Sequence, residues 1–546
     1  MEFDMSISSD DVLYTAPYPG AVARTLTARL AEYVTPEDFG AAGDGVTDDT
    51  VALQAALASG RDVALSGKYL VSATLHLRTR CQRIFVTMGP SVTARPAITM
   101  AATSTGVSPV VHVHSDSVCL ENLVIIGRAE AEADSVLIFA EEDYLVTPDG
   151  TNNADVDLRI TGCTLAKAQT LVHIKGRGLN ITQCNMVLFI DAVVLDWPDP
   201  QDDPYADPLN PAQFNPGKNV DQALGSGMRA YMIRDNRFHA GSGGFLLRNI
   251  GWNASRIHGI QFSGNYIDTN CRVFEGYANE SLFTDNLLIH SGATFQLFSI
   301  NGGDSIRIGG NVFYGMTDNA AGTGGSTPGD TRQIMSGIVM KNVSNVSVDG
   351  NHFKYVRRDI LTCHENCRNI VFRGNVMKDV CTDNDVETTD PYVGAVRHIV
   401  RINQPVDGVI VTDNVVDIPV MLREGMLIGL PTGTAAVTNL VVRDNLLPAH
   451  MESHNLPAAW RQAVADTSRD VTSYDGDGGA SKVLTLRFAL VFVSVTIATG
   501  PGRGRSMAVS VHSSAAADLV QISGRDVIVR DAWNASGTTY TLHALT

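Results

Sequence analysis

Charged side chains recur in short apolar strands between residues 171 and 401. If the apolar residues of these strands face inward, the outward set is mainly basic: His173, Lys175, Arg248, Glu275, Lys341, His364, Arg397 and Arg401. Any one of these residues, taken alone, could simply be a solvent-exposed side chain on the outer face of a sheet. As a set on a chain of net charge −17, they indicate by charge complementarity a site for an acidic or phosphorylated glycan.

Carboxylates in the same region could cleave a glycosidic bond. That reaction needs two carboxyl groups about 5 Å apart for retention of configuration or about 6.5–9.5 Å apart for inversion. The candidates by position are Glu275, Asp359, Glu365, Asp383 and Asp385. Three rungs at about 4.8 Å put Glu275 and Glu365 roughly 14 Å apart, too far for a direct pair. The sequence alone does not choose among the five. By position we favour Glu275, Asp359 and Glu365, and we hold Asp383 and Asp385 in reserve as wall residues that could swing over the substrate.

Two other kinds of chemistry stay open for these strands. A polysaccharide lyase would use His364, Arg397 or Lys341 to take the proton beside a uronate carboxylate, while another cation neutralises that carboxylate. A glycan-binding adhesin would use the same surface without cleavage.

The charged strands are flanked by long insertions on both sides. Those before a strand are Tyr314 to Ser336 and Val380 to Gly394, and those after a strand are Glu141 to Ala154 and Asp196 to Gly227. Loops on both edges of one stacked sheet predict a walled groove, which suits a polymer. Trp197 and Trp252 lie in or near the walls and could stack on sugar rings. We expect cleavage between the rungs of Glu275 and Arg401, with Lys341, His364, Arg397 and Arg401 binding substrate.

A repeat positions these strands. Alternating apolar residues, one or two small or charged residues and then asparagine recur at Asn122, Asn185, Asn236, Asn265, Asn286, Asn311, Asn351, Asn375, Asn414 and Asn445. From Asn236 onward the steps are 21 to 40 residues. A period of twenty-odd residues built from short strands is typical of a β-solenoid. Stacked rungs would place the asparagines in a hydrogen-bonded ladder inside one turn.

The repeat is preceded by a glycine- and aspartate-rich run from Asp38 to Thr50, and then by Val51 to Leu57. Glycine and aspartate permit tight turns, and Thr47 and Asp48 can cap a short helix. That helix would show Leu53, Ala56 and Leu57 on one face. The run resembles the opening motif of the pectate-lyase-like superfamily of right-handed parallel β-helices, in the form seen at the start of bacteriophage tailspike and polysaccharide depolymerase domains.

The resemblance implies an all-β, right-handed parallel β-helix. The expected domains are an N-terminal arm over 1–34, a β-helix over 35–450 with a capping helix near 48–59, and a C-terminal all-β module over 451–546. The expected function is a phage tailspike-type depolymerase that binds and cleaves a bacterial surface polysaccharide, with hydrolysis first among the open alternatives. The resemblance also implies a homotrimer, attachment to a phage tail or adaptor through the arm, synthesis in the bacterial cytoplasm, and action at the host surface.

Composition excludes several classes of partner. A net charge of −17 is unsuited to nucleic acid, which requires a concentrated basic face. No apolar run reaches membrane-spanning length, so we expect no membrane insertion. The eight cysteines are scattered, which predicts free thiols rather than a disulfide framework. Cys363 and Cys367 have no matching second ligand pair, and we expect neither a metal nor a cofactor.

Overall fold

The computed structural model describes residues 8–30, 32–87, 95–130, 132–141, 155–196, 230–249, 254–290, 294–315, 334–356, 358–380, 397–403, 406–417, 425–429 and 437–447. Beyond these it describes 452–454, 470–475, 481–485, 492–497, 506–510, 520–523, 526–530 and 539–545. The chain divides into two compact units. The first comprises 1–407, 414–436 and 446–455, and the second comprises 408–413, 437–445 and 456–546.

The first unit is a β-helix whose coils add strands to three parallel sheets. One sheet, which we call the floor sheet, carries the charged strands. Its strands are Leu75–Leu77, Val111–Val113, Val136–Glu141, the second halves of Thr164–Lys175 and Asn185–Asp196, Phe245–Asn249, Arg272–Tyr277, the first half of Thr294–Gly309, Ile334–Met340, Leu361–Cys363, Arg397–Ile402, Gly425–Gly429 and Glu452–His454. The predicted fold class, an all-β right-handed parallel β-helix, is confirmed.

The other two sheets close each coil. The ladder sheet, which precedes the asparagine turn, contains Val63–Leu65, Arg83–Val86, Cys119–Glu121, Asp155–Thr161, Arg177–Thr182, Tyr231–Arg234, Ile260–Ser263, Leu282–Thr284, the second half of Thr294–Gly309, Val343–Asp349 and Cys367–Arg373. The middle sheet, which follows the turn, contains Asp44–Asp48, Lys68–Val71, Ala97–Met100, Val124–Ile126, the first halves of Thr164–Lys175 and Asn185–Asp196, Arg237–His239, Tyr266–Asp268, Leu287–His290, Val312–Gly315, His352–Lys354, Val376–Lys378 and Val415–Asp417.

The turn between the ladder and middle sheets holds a column of buried asparagines. Each side-chain amide donates to the Oδ1 of the next asparagine at 2.8–3.1 Å. The members of this asparagine ladder are Asn236, Asn265, Asn286, Asn311, Asn351, Asn375 and Asn414. A carboxamide has both a donor and an acceptor, so the same side chain satisfies its neighbours on every rung. The predicted ladder is confirmed over this stretch.

Two coils differ from the predicted phase of the repeat. Asn185 pairs with Arg237, so the residue that lies opposite Asn236 is Cys184. The Cys184 backbone N–H donates to Asn236 Oδ1 at 2.9 Å. Asn122 has a left-handed backbone with φ of 60°, while Leu123 and Cys163 occupy the ladder position of their coils. The ladder therefore begins at Asn236, and the earlier coils fill the same position with apolar side chains.

A short helix, Thr50–Ala58, follows the glycine-rich run and buries Leu53, Ala56 and Leu57, as predicted. Its N-cap residue is Asp49. The expected capping role of Thr47 is wrong, because the Thr47 hydroxyl donates to Asp44 instead. Asp48 does accept the backbone N–H of Thr50, at 3.0 Å.

Between residues 8 and 49, apart from residue 31, the described elements before this helix are all short. Strands Leu13–Tyr14 and Arg24–Thr25 pair antiparallel, and they precede a helix at Leu26–Leu30 and a 3₁₀ helix at Pro36–Phe39.

A further 3₁₀ turn lies at Ala254–Arg256. No helix within the described ranges is long and apolar enough to span a lipid bilayer.

The second unit contains further paired strands. Val406–Thr412, which belongs to this unit from residue 408 onward, pairs with Val437–Arg443. One antiparallel sheet contains Asp470–Asp475, Thr539–Leu545, Phe492–Ile497 and Ser506–Ser510, and another contains Ser481–Thr485, Asp526–Arg530 and Val520–Ser523. The Asp470 to Gly479 segment has the composition of a linker, yet its first six residues form a strand with Thr539–Leu545.

Candidate active site

One outward position of the floor sheet runs through consecutive coils in register. We call it the outer column, and it contains His76, His112, Phe139, His173, Val194, Arg248, Glu275, Ser299, Val339, Thr362, Arg401 and Gly429. From Arg248 to Arg401, the residues on either side of the column in each strand are buried, so the column points away from the core. Four of the eight predicted outward residues, His173, Arg248, Glu275 and Arg401, lie in this one column.

Arg248 in the outer column joins two carboxylates, one from the column and one from the neighbouring strand. Arg248 Nη1 lies 2.9 Å from Asp191 Oδ2, and Arg248 Nε lies 3.2 Å from Glu275 Oε2. We call Asp191, Arg248 and Glu275 the acidic cluster. The side chain of Asp191 is 8% exposed and that of Glu275 is 24% exposed, so Glu275 is the more accessible carboxylate.

The shared guanidinium limits the distance between these two carboxylates. Its nitrogens are about 2.3 Å apart in a rigid plane. The distance from Asp191 Oδ2 to Glu275 Oε2 is therefore at most about 8.5 Å, which lies below the upper limit of about 9.5 Å for inverting glycosidases. The pair is thus close enough for glycosidic hydrolysis, whereas Glu275 and Glu365, three rungs apart, are not.

Local backbone geometry fixes both carboxylates. Asp191 Oδ1 accepts the backbone N–H of Phe245 at 2.8 Å, which leaves Oδ2 for Arg248. Glu275 is followed by Gly276, whose φ is 131°. A Cβ at that glycine would lie 1.9 Å from the carbonyl oxygen of Asn249, so only glycine permits the close approach of these two strands.

A second polar group lies farther along the same sheet. Arg401 Nη1 lies 3.2 Å from Asp359 Oδ2, and Arg401 Nε donates to Asn403 Oδ1 at 2.8 Å. The Asn403 amide nitrogen is 3.4 Å from His364 Nδ1. We call Asp359, His364, Arg401 and Asn403, together with the exposed Lys341, the basic cluster. Along the outer column, Thr362 marks the position of the basic cluster. It lies three rungs, about 14 Å, from Glu275.

The hydrogen bonds of Asn403 determine the tautomer of His364. Because Asn403 Oδ1 accepts from Arg401, the Asn403 group that faces His364 is the NH₂ donor. His364 Nδ1 must then be the acceptor, and the proton of the neutral imidazole lies on Nε2. Burial lowers the pKa of His364 from its ordinary value, and the positive charges of Arg401 and Lys341 lower it further, against an opposing effect of Glu365.

The remaining predicted site residues have different surroundings. Lys341 and Glu365 are exposed, and Glu365 follows the strand that lies three rungs from Glu275, as predicted. Arg397 lies in the floor sheet, four residues before Arg401 in the same strand, and its backbone is paired with Gly425. Asp383, Asp385, Trp197 and Trp252 lie outside the described residues. So does most of each predicted wall, namely 142–154, 197–229, 316–333 and 381–396.

Two residues of the clusters are missing from the sequence-based candidates. Asp191 is the single charged residue in the apolar run from Met186 to Leu195, and that isolation is a usable signal. Asn403 follows Arg401 by two residues and carries no signal of its own, because its role depends on its contacts with Arg401 and His364.

Solved structures similar to this chain include three bacteriophage tailspike proteins. The Dettilon tailspike protein (gp208) is 14% identical, with 95% of each chain covered and a TM-score of 0.46. A mutant tailspike protein of E. coli bacteriophage HK620, in complex with a pentasaccharide, is 11% identical, with 98% of each chain covered and a TM-score of 0.45. The enzymatically active domain of tailspike protein 2 of bacteriophage CBA120 is 11% identical, with 98% of this chain and 82% of that chain covered and a TM-score of 0.38.

No protein-family model and no curated protein sequence matches the chain. All three TM-scores are below 0.5, so the fold assignment rests on the register of this chain's own strands.

Proposed function

We propose that the chain is a phage tailspike-type depolymerase that binds a bacterial surface polysaccharide and cleaves it by glycosidic hydrolysis at the acidic cluster. The observation that carries this proposal is the pair Asp191 and Glu275 on one guanidinium, at most about 8.5 Å apart. One carboxyl group donates a proton to the glycosidic oxygen. The other, as a carboxylate, either attacks the anomeric carbon or activates the water that attacks it. Arg248 holds both in place.

The basic cluster binds the polymer on one side of the cleavage point. His364 presents Nε2–H as a hydrogen-bond donor, and the exposed Lys341 supplies positive charge. Arg401, whose side chain is 9% exposed and paired with Asp359, acts chiefly by holding Asn403 against His364. These groups favour an acidic or phosphorylated glycan. Asp359 is almost wholly buried and accepts from Arg401 and from the His398 backbone N–H, at 3.2 and 3.3 Å. We therefore assign Asp359 a positioning role, through Arg401, rather than a catalytic one.

The tautomer of His364 favours hydrolysis over β-elimination. A lyase base must present an unprotonated atom to the sugar, whereas His364 Nδ1 is directed at the Asn403 amide. Lys341 and Arg397 are cations that would first have to lose a proton. Hydrolysis requires neither change. Glu365, a favoured candidate from the sequence, now joins Asp383 and Asp385 as a reserve carboxylate. Arg397, Trp197 and Trp252 remain proposed substrate contacts.

Product analysis tests this function. The full chain is incubated with a panel of purified capsular, exopolysaccharide and O-antigen glycans, and both reducing ends and ultraviolet absorbance are followed. New reducing ends without absorbance are expected. Products that absorb as conjugated uronates would establish a lyase instead. Retention of a glycan by the protein without any product would establish an adhesin.

We also propose a homotrimer assembled partly through the N-terminal arm, as part of a phage tail. The arm exposes large apolar side chains, with Leu13, Tyr18 and Val22 exposed by 67%, 74% and 82%. Exposed apolar groups so close together favour burial against another chain. Light scattering should give three times the mass of one 58.5 kDa chain. A stable monomer at micromolar concentration would contradict the proposal.

A further inference from the structure

Three histidines lie together on the floor sheet, at the opposite end from the basic cluster. His76 and His112 are paired directly across adjacent strands of the outer column, and His114 follows two residues after His112. Over the described part of the chain, these are the only three or more His, Cys, Asp or Glu side chains grouped so that they could hold a metal ion. Neither cluster of the proposed cleavage site includes them.

Their nitrogens are close enough to share one ion. One ligand atom from each ring lies within 4.8 Å of the other two. His76 Nδ1 and His114 Nε2 are 2.8 Å apart, and the rings of His112 and His114 are 3.6 Å apart between centroids. Zinc–nitrogen bonds of about 2.0–2.1 Å in a tetrahedral site separate the ligand nitrogens by about 3.3 Å. Small rotations of the rings would produce that spacing.

A carboxylate supports one of the rings from behind. His112 Nε2 lies 3.2 Å from Glu141 Oε1, on the next strand of the sheet. Carboxylates that accept the second N–H of a ligating histidine fix its orientation and increase its basicity. If His112 keeps this contact, its Nδ1 is the nitrogen available to a metal ion.

We propose that His76, His112 and His114 form a binding site for a divalent transition-metal ion of the Zn²⁺ type, with Glu141 orienting His112. Imidazole ligands suit Zn²⁺, Ni²⁺, Cu²⁺ and Co²⁺ and do not suit Mg²⁺ or Ca²⁺. Three protein ligands leave a fourth position for water. The site is separate from the acidic cluster, because five rungs of the outer column, about 24 Å, lie between His112 and Glu275.

Metal titration of the full chain, without a histidine tag and after treatment with a chelator, tests the site. Co²⁺ should produce visible absorption bands with a stoichiometry of one ion per chain, and Zn²⁺ should displace it. His112→Asn should weaken Co²⁺ binding at least 100-fold, and Glu141→Gln should weaken it about 10- to 100-fold. His173→Asn is the matched control, since His173 lies in the same column two strands away from His112, and it should bind as the wild type does.

A second measurement separates loss of the site from loss of folding. Excess Zn²⁺ should raise the melting temperature of the wild type and of His173→Asn, because an ion that binds only the folded state stabilises it. His112→Asn should fold and show no such rise. If His112→Asn does not fold, His76→Asn takes its place in both measurements. The proposal is overturned if the wild type shows no Co²⁺ bands, or if the histidine variant binds Co²⁺ as tightly as the wild type does.

Discussion

Two columns of side chains run along the β-helix, one inside and one outside, and they follow opposite rules. The asparagine ladder repeats one residue type for seven coils, and each member satisfies the next. The outer column hardly repeats at all. Between His173 and Arg401 it changes from one coil to the next through aliphatic, cationic, anionic and hydroxyl side chains.

The difference separates folding from function. A buried turn presents the same requirement on every rung, so one carboxamide solves it each time. An outward position requires little for folding, and its residues are free to differ. Where such residues nevertheless form specific contacts, as Arg248 does with Asp191 and Glu275, they define the candidate site from which the proposed function is argued.

The largest expected effect comes from changing the two carboxylates of the acidic cluster. Replacing Asp191 by Asn or Glu275 by Gln removes an acid or base from the reaction and should lower turnover roughly 10²- to 10⁴-fold. Glu275→Gln should change melting temperature and glycan binding little, because Glu275 is the more exposed carboxylate. Asp191→Asn also removes a largely buried partner of Arg248, so its turnover is compared per folded molecule. Turnover is followed by the release of reducing ends.

A matched ion pair on another sheet provides the control. Asp349 accepts from Arg307 at 2.9 Å on the ladder sheet, away from the outer column. Asp349→Asn should therefore keep full turnover. If Asp191→Asn and Glu275→Gln both remain as active as Asp349→Asn, the cleavage site lies elsewhere, and Glu365, Asp383 and Asp385 become the next carboxylates to replace.

A smaller effect, on stability alone, is expected from the asparagine ladder. Asn311 Oδ1 accepts the backbone N–H and the side-chain amide of Asn286, at 3.0 and 2.8 Å. Asn311→Ala leaves these buried donors without an acceptor, and each such group costs about 1–3 kcal/mol. Unfolding should be faster and the melting temperature lower, with turnover per folded molecule unchanged.

An exposed asparagine pair gives the control for the ladder. The amide of Asn366 donates to Asn342 Oδ1 at 2.9 Å on the surface, and Asn366 has a φ of 53°. Glycine tolerates that backbone, so Asn366→Gly should change the free energy of unfolding by no more than about 0.5 kcal/mol. An equal loss in Asn366→Gly and Asn311→Ala would show that the ladder has no special role.

The two columns also explain how much the sequence could predict. Repetition leaves a periodic signal, so the parallel β-helix and most of the ladder are readable from the asparagines and the apolar alternation. The glycine- and aspartate-rich run predicts the short helix Thr50–Ala58 that follows it. The phase is wrong by one residue at Asn185, because Cys184 holds the ladder position there. The buried position in that turn accepts the thiol of Cys184 as well as a carboxamide. The repeat in the sequence is recognised by its asparagines, so the neighbouring Asn185 is chosen instead.

The candidate site was harder to predict, because its contacts depend on register between distant residues. Asp191 and Arg248 are 57 positions apart and meet only because Val194 and Arg248 are directly paired. Insertions of different length between coils hide that pairing. Glu275 and Arg401 were identified through their outward positions, whereas their partners Asp191 and Asn403 required the three-dimensional structure.

The smallest expected effect concerns His364 and depends on pH. Its folded-state pKa is lowered, first by burial and then by Arg401, so the unfolded chain takes up a proton near pH 6.5 that the folded chain does not. The wild type should therefore lose stability as pH falls below about 6.5, down to the folded pKa. His364→Gln lacks this proton and should be spared that loss. Its melting temperature relative to the wild type should increase as the pH is lowered from 7 to 5.

Comparison with a second histidine isolates this effect from general acid destabilisation. His352 is exposed on the middle sheet and outside the outer column, so His352→Gln serves as the baseline at each pH. Protonation of His364 would also place a donor at Nδ1 against the donor amide of Asn403, which breaks their contact. The measured quantity is the melting temperature of each variant minus that of the wild type at each pH. If this difference changes equally for His364→Gln and His352→Gln between pH 7 and 5, the assigned tautomer is contradicted. That result would also remove the reason for preferring hydrolysis to β-elimination.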